Sequence, residues 1–254
     1  MTIKKTILIT GAAARIGKFI ATHFAENGWN VGIHYNTSKE AAESLVDELT
    51  SKNLSAACFQ ANLAVEETYL DLAERVHAQF GTLHCLINNA SFFEYDSVKT
   101  TTRESWNQHL ETNLRAPFVL SQAFQAQLPE DIDGNIINIL DQRVWNLTPH
   151  YTSYTVSKAA LWTLTQTMAL ACAPRIRVNA IGPGPTLANP KQTQQHFDNQ
   201  CKNVPLEKGP ELIEITHAID FILESSSMTG QMLALDGGQH LGWAFPDQKI
   251  SEFD

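Results

Sequence analysis

Seven short runs of aliphatic and β-branched residues recur along this chain, and a segment of helical periodicity fills each gap between them. The runs fall at 6–10, 30–35, 55–60, 83–88, 135–140, 177–181 and 231–235; the helical patterns fall at 15–27, 38–52, 65–80, 103–127, 151–172 and 210–224. Stretches such as Cys85-Leu86-Ile87 and Ile136-Ile137 are apolar without alternation, as in strands covered on both faces. Strands joined through helices pair in parallel, and their crossovers are right-handed. The expectation is an α/β fold: a doubly wound seven-stranded parallel sheet of Rossmann type, with helices on both faces. A chain of 254 residues can bury one such core, and no linker divides it, so 1–254 reads as a single domain. The irregular stretch 183–209, rich in Pro, Gln and Asn, reads as a mobile substrate loop with some short helix.

Composition narrows the partners. A formal net charge of −9 argues against nucleic acid and anionic membrane surfaces. No apolar stretch approaches the ~20 residues a membrane span needs, and the run Ile7-Leu8-Ile9 after Lys4 and Lys5 stops too soon for a signal peptide. Cys58, Cys85, Cys172 and Cys201 show no C-x-x-C spacing. They read as reduced fillers in a cytoplasmic protein, with no metal site expected. A buried basic pocket for one small anion stays open.

The first run leads into Thr10-Gly11-Ala12-Ala13-Ala14-Arg15-Ile16-Gly17 and then a helix. A strand, glycine turn and helix N-terminus in that order let backbone N–H groups approach a pyrophosphate. Gly11 and Gly17 flank the turn, while Arg15 stands where a glycine is usual and suits a phosphate contact. The end of the second run, His34-Tyr35-Asn36-Thr37-Ser38, lacks the carboxylate with which NAD binders hold the ribose 2′-hydroxyl. His34, Thr37, Ser38 and Lys39 offer donors to a 2′-phosphate instead, so NADP(H) is the expected cofactor. Thr37 through Glu40 also fits a helix capping box. Asn88-Asn89-Ala90-Ser91 ends the fourth run, and Asn62 with Leu63 follows the third. Both sit at carboxyl ends of strands, where such sheets bind ligands.

Tyr154 and Lys158 lie four residues apart in a helical stretch, so phenol and ammonium share a face. A cation beside a tyrosine favours the phenolate and lowers a pKa that starts near ~10. The pair is then expected to act as an acid near neutral pH.

Thr10-Gly11 through Gly17, Asn88-Asn89-Ala90, Asn113, Tyr154 with Lys158, and Pro183-Gly184 together resemble the short-chain dehydrogenase/reductase superfamily along essentially the whole chain. The resemblance implies that Tyr154 is the general acid, that Lys158 tunes it and binds the nicotinamide ribose, and that Asn113 holds a proton-relay water. An amide at 113 could also satisfy a helix irregularity. Ile16, Leu63, Asn89, Ala90, Pro183 and Gly184 would then join the cofactor site.

One departure is informative. Thirteen residues before the tyrosine, where most members place a serine, stands Asp141. An ionised carboxylate accepts hydrogen bonds and cannot donate one, which favours a substrate bearing N–H groups over a simple ketone. Asp141, Arg15 in the glycine turn, Asn-Ala-Ser-x-Phe at 89–93 and the His34-Tyr35 strand end resemble pteridine reductases and the related dihydromonapterin and dihydrofolate reductases. That likeness implies reduction of a dihydropterin, with Asp141 joining the catalytic residues. Arg15 and Ser91 would orient the ring, Phe93 would sandwich it, and Thr186 would supply a hydroxyl opposite. A keto-reductase of the same superfamily remains open, as does a regulator that binds NADP without turnover. The tail 237–254, with Trp243 and Phe245, is apolar and aromatic; in related reductases such a tail lies at a subunit contact, which implies a homotetramer.

Overall fold

The computed structural model describes residues 4–189 and 192–242. Seven parallel strands, β1 (Thr6–Ile9), β2 (Asn30–Tyr35), β3 (Ser55–Gln60), β4 (Cys85–Asn88), β5 (Gly134–Ile139), β6 (Ile176–Pro183) and β7 (Met232–Leu235), form one sheet in the order β3-β2-β1-β4-β5-β6-β7. Each strand sends alternate residues to opposite faces. Ile7 and Ile9 therefore join one buried cluster, and Leu8 between them joins another. The first cluster is closed by α1 (Arg15–Glu26), α2 (Lys39–Ser51) and α8 (Leu212–Glu224), which contribute Phe24, Leu45 and Ile219. The second is closed by α3 (Leu72–Phe80), α5 (Ala116–Gln127) and α6 (Thr152–Ala171), through Val76, Phe124 and Met168. Leu8 has no exposed surface, and truncating a leucine in such a place costs about 2–5 kcal/mol.

The expected doubly wound sheet is thus present, and its strand boundaries lie within one or two residues of those read from the sequence. The helices differ more. The pattern at 65–80 divides into a 3₁₀ turn, Glu66–Thr68, and α3. The pattern at 103–127 divides into α4 (Arg103–Leu110), a π-helical turn (Glu111–Arg115) and α5. Pro117 causes the break: it has no N–H to return to the carbonyl of Asn113, and the Ala116 N–H reaches back to Glu111 O. Within 183–209 the structure adds α7 (Gln194–Lys202), whose N-cap Thr193 accepts from the His196 N–H at 3.2 Å. Residues 190–191 of that loop and 243–254 of the tail lie outside the described residues, so Trp243 and Phe245 do too.

The chain runs outward from β1 to β3, then returns to β4 on the other side of β1. The loops after β1 and β4 consequently part at their carboxyl ends and leave a crevice there.

Candidate active site

A continuous cleft of about 900 Å³ opens along that crevice. Every site residue expected from the sequence lines it except Asn113: the glycine turn, the ends of β2 and β4, Asp141, Tyr154, Lys158, and the start of the loop after β6.

At one end the glycine turn is braced from below. Asn89 Nδ2 donates to Thr10 O at 2.8 Å, and Thr10 Oγ1 accepts from the Asn89 and Ala90 N–H groups at 2.9 Å each. A Cβ on Gly17 would meet Gly11 O at 2.3 Å and Asn89 Nδ2 at 2.7 Å, so only glycine fits there. Helix α1 begins above this cradle with no side-chain cap and no acid in its first turn. Its unshared N–H groups and positive dipole end suit a phosphate. No carboxylate stands at the end of β2, where Asn36, Thr37 and Ser38 are exposed. The N-cap of α2 is Ser38, not Thr37, and it makes no side-chain cap bond; the alternative reading of Thr37–Glu40 as a capping box is not what forms, and Thr37 and Ser38 both line the cleft. These features fit a dinucleotide whose ribose carries an anionic group.

His34 is not the phosphate donor expected. The Gly11 N–H donates to its Nδ1 at 3.0 Å, which leaves Nε2 to donate to Ala61 O at 3.2 Å. Burial pulls its pKa down to about 4, with the Ala61 bond opposing. A neutral ring with both nitrogens engaged supports the glycine turn and has nothing left for a phosphate. Asn62 Oδ1 likewise accepts from the Ala64 N–H at 3.1 Å, which fixes the loop beside Leu63. Arg15, at φ 53°, sends its two terminal nitrogens to Ala188 O at 2.8 Å and Leu187 O at 3.1 Å. Its guanidinium ties the glycine turn to the loop after β6 and does not stand free in the cleft. Within that loop, Thr186 Oγ1 donates to Gly184 O at 3.0 Å, and the hydroxyl expected at the opposite wall serves a local turn.

At the other end lie Asp141, Tyr154 and Lys158. Tyr154 donates its phenolic proton to Asp141 Oδ2 at 3.0 Å. Lys158, 2% exposed, donates from Nζ to Ile139 O at 2.8 Å, with Nζ 5.8 Å from the Tyr154 ring centre. Burial pulls the Lys158 pKa down to about 8, against the raising pull of Asp141. The shift at Tyr154 runs in the direction opposite to that expected from Lys158 alone. Burial and then the charge of Asp141 push its pKa well above the ordinary value, outweighing Arg143 and a Ser91 hydrogen bond that act the other way. Helical spacing places Lys158 beside the ring, but its ammonium turns to a backbone carbonyl, and a carboxylate is the nearer charge.

Asn113 does not reach the cleft. Its Oδ1 accepts from the Phe92 N–H at 2.7 Å, and its Nδ2 donates to Phe92 O at 2.9 Å and to Ser157 Oγ at 3.1 Å. The side chain sits in the π turn and holds the loop after β4. Phe93, expected to sandwich a ligand ring, stacks on Tyr151 with ring centres 4.6 Å apart and planes at 10°. Ser91 is exposed at the cleft wall.

Three groups escaped sequence reasoning. Arg143 donates from its backbone N–H to Asp141 Oδ1 at 2.8 Å and from Nη1 to Oδ2 at 3.3 Å. Its guanidinium also lies 5.0 Å from the Tyr151 ring centre. Tyr151 enters α6 in left-handed conformation, φ 57° and ψ 50°, which turns its ring toward Phe93. Asp96, 2% exposed, accepts from the Ser153 N–H at 3.1 Å and from the Ser153 hydroxyl, anchoring the first turn of α6 beside Tyr154. A spacing of two, as in Asp141-x-Arg143, was the available signal for the first. The other two carry none.

Comparison with known proteins gives a consistent set of likenesses. The family model described as enoyl-(acyl carrier protein) reductase matches residues 11–240. The 3-oxoacyl-(acyl-carrier-protein) reductase FabG of Staphylococcus epidermidis is 30% identical, over 94% of this chain and 100% of the relative. A dihydromonapterin reductase of Klebsiella pneumoniae is also 30% identical, over 93% of this chain and 97% of the relative. Among solved structures, FolM alternative dihydrofolate reductase 1 from Brucella suis in complex with NADP superposes with a TM-score of 0.93. It is 42% identical, with 97% of this chain and 99% of that one covered.

Proposed function

The chain belongs to the short-chain dehydrogenase/reductase family, and we propose that it reduces a dihydropterin to the tetrahydro form with NADPH. The observation that carries this reading is the carboxylate of Asp141, hydrogen-bonded to the Tyr154 phenol at 3.0 Å inside the cleft. The reaction class follows from the family, and NADP(H) from the missing acid at the end of β2 together with relatives crystallised with NADP or NADPH. The likeness at 42% identity to a dihydrofolate reductase and at 30% to a dihydromonapterin reductase supports the substrate class.

When bound, the nicotinamide supplies the hydride. The chain's own residues align and protonate. The α1 N-terminus, Thr37 and Ser38 would hold the phosphates, Asn89 and Ala90 would let the backbone lie close, and Lys158 would bind the nicotinamide ribose. Tyr154 gives its proton to the substrate nitrogen. A phenol with a raised pKa stays protonated through the neutral range, and it yields its proton only to an acceptor that becomes strongly basic. A ring nitrogen whose neighbouring carbon receives hydride is such an acceptor. Asp141, which accepts from the Tyr154 phenol at 3.0 Å, takes a substrate N–H and keeps the ring's nitrogen edge against the phenol. Arg15 and Ser91 line the ring's path.

The FabG likeness favours a second reading, reduction of a 3-oxoacyl thioester. One panel separates the two. With NADPH and then NADH, the protein is offered dihydrobiopterin, dihydromonapterin, dihydrofolate and an acetoacetyl thioester, and nicotinamide oxidation is followed. We expect NADPH-dependent turnover of at least one dihydropterin. Turnover of the thioester alone assigns the protein to the keto-reductases.

A further inference from the structure

The turn after β5 carries three consecutive polar side chains, Asp141, Gln142 and Arg143, that all line the cleft. Gln142 and Arg143 are 3% and 8% exposed. The Asp141 carboxylate already accepts from the Arg143 N–H, Arg143 Nη1 and the Tyr154 hydroxyl. A carboxylate offers about four such positions, so one is left for a ligand N–H. Beside it, Arg143 Nε and Gln142 Oε1 are buried with no partner among the described residues. Proteins seldom leave buried polar atoms in that state, and those they leave call for a cause. The Arg143 guanidinium bonds the carboxylate and lies 5.0 and 5.7 Å from the ring centres of Tyr151 and Phe93. Cation–π contact with both rings keeps it along the aromatic wall.

One turn thus carries acceptors at 141 and 142 and a forked donor at 143, next to a wall of flat rings. The complementary ligand edge has N–H and C=O groups side by side on a planar ring, as in a lactam. A ketone on an acyl chain offers the acceptor alone. We propose that Arg143 is a specificity-determining residue that, together with Asp141, reads a lactam-type donor–acceptor edge of the substrate ring. The proposal rests on the heterocycle-reductase reading above and assigns the edge by which the ring is chosen. Arginine suits the task because its rigid fork can hold the carboxylate and serve a ring oxygen at once, which the point charge of a lysine does not.

The test compares wild type, R143M and R143K with saturating NADPH, on dihydrobiopterin and on an acetoacetyl thioester. NADPH binding is measured separately by fluorescence. R143M should raise KM for dihydrobiopterin by about tenfold or more, the worth of a hydrogen bond to a charged group, with a smaller fall in kcat. Its NADPH affinity should stay within about twofold of wild type, because the cofactor end is built from other elements. R143K should recover only part of the loss. Wild-type KM and kcat on dihydrobiopterin in R143M overturn the proposal. Should R143M bind no NADPH, and so be misfolded, R143K decides: full wild-type kinetics there overturn it, and a raised KM with normal NADPH binding supports it. A wild-type enzyme that reduces the thioester and no dihydropterin overturns this proposal and the substrate reading together. Normal wild-type pterin turnover with indifferent Arg143 variants overturns this proposal alone.

Discussion

His34 shows how a polar residue at a strand end can be spent on structure. Its ring accepts the first N–H of the glycine turn and donates to the next strand's exit, so it must be neutral. With its folded pKa at about 4 against an ordinary 6.5, the unfolded chain binds a proton first as the pH falls. The stability it contributes is therefore full above pH 6.5 and lost as the pH falls toward 4, by about 3 kcal/mol at most. Urea unfolding at pH 7 and pH 4.5 should show this loss in wild type and much less of it in His34→Asn, which is expected to start from a lower stability at pH 7. Equal pH dependence in both proteins contradicts the assignment. The Tyr154–Lys158 pair was legible in the sequence because helical spacing fixes which residues share a face. The sign of the phenol's shift was not, because it depends on where an ammonium turns at the end of a four-carbon stem. Arg143 was hidden for a related reason: its partner lies two residues away as the N-cap of a single 3₁₀ turn, Gln142–Val144, too short to show a periodicity.

Elements were legible in proportion to how much of them is buried. The strands have no polar face to blur their limits, and uninterrupted apolar runs mark them almost to the residue. Helix α7 has no fully buried residue and its sequence, Gln-Gln-His-Phe-Asp-Asn-Gln-Cys-Lys, is mostly polar, so it gave no apolar stripe to read. The π turn at Glu111–Arg115 was invisible because apolar residues keep nearly helical spacing across it. Its consequence is local: it presents Asn113 to the loop after β4, where three hydrogen bonds replace water for Phe92 and Ser157. Replacing Asn113 by Ala should leave the part-buried Phe92 N–H and carbonyl without their partner and cost roughly 1–3 kcal/mol, read as a lower urea midpoint. Unchanged stability means the loop finds other partners, and the bracing role is lost.

At the scale of the whole molecule, the strand order explains why the two halves of the cleft face each other. The β1/β4 switch point sets the glycine turn beside Asn89 and Ala90, and β5 and α6 bring Asp141 and Tyr154 to the same rim. Among the described residues no helix is long and apolar enough to cross a membrane, and no group of His, Cys, Asp or Glu could hold a metal. The cofactor is NADP(H), as in the similar reductases crystallised with it, and in the proposed function the choice of substrate falls to the end of the cleft that holds Asp141 and Tyr154. At that end stands Asp141, where the family resemblance implies a serine. The most direct measurement is kcat/KM for dihydropterin and for acetoacetyl thioester, with NADPH, in wild type and Asp141→Ser. The substitution should lower pterin turnover by about 100-fold or more, as for loss of a group in the proton path, while NADPH affinity and thioester turnover do not fall. Pterin turnover at the wild-type level in a folded, NADPH-binding Asp141→Ser contradicts the central claim.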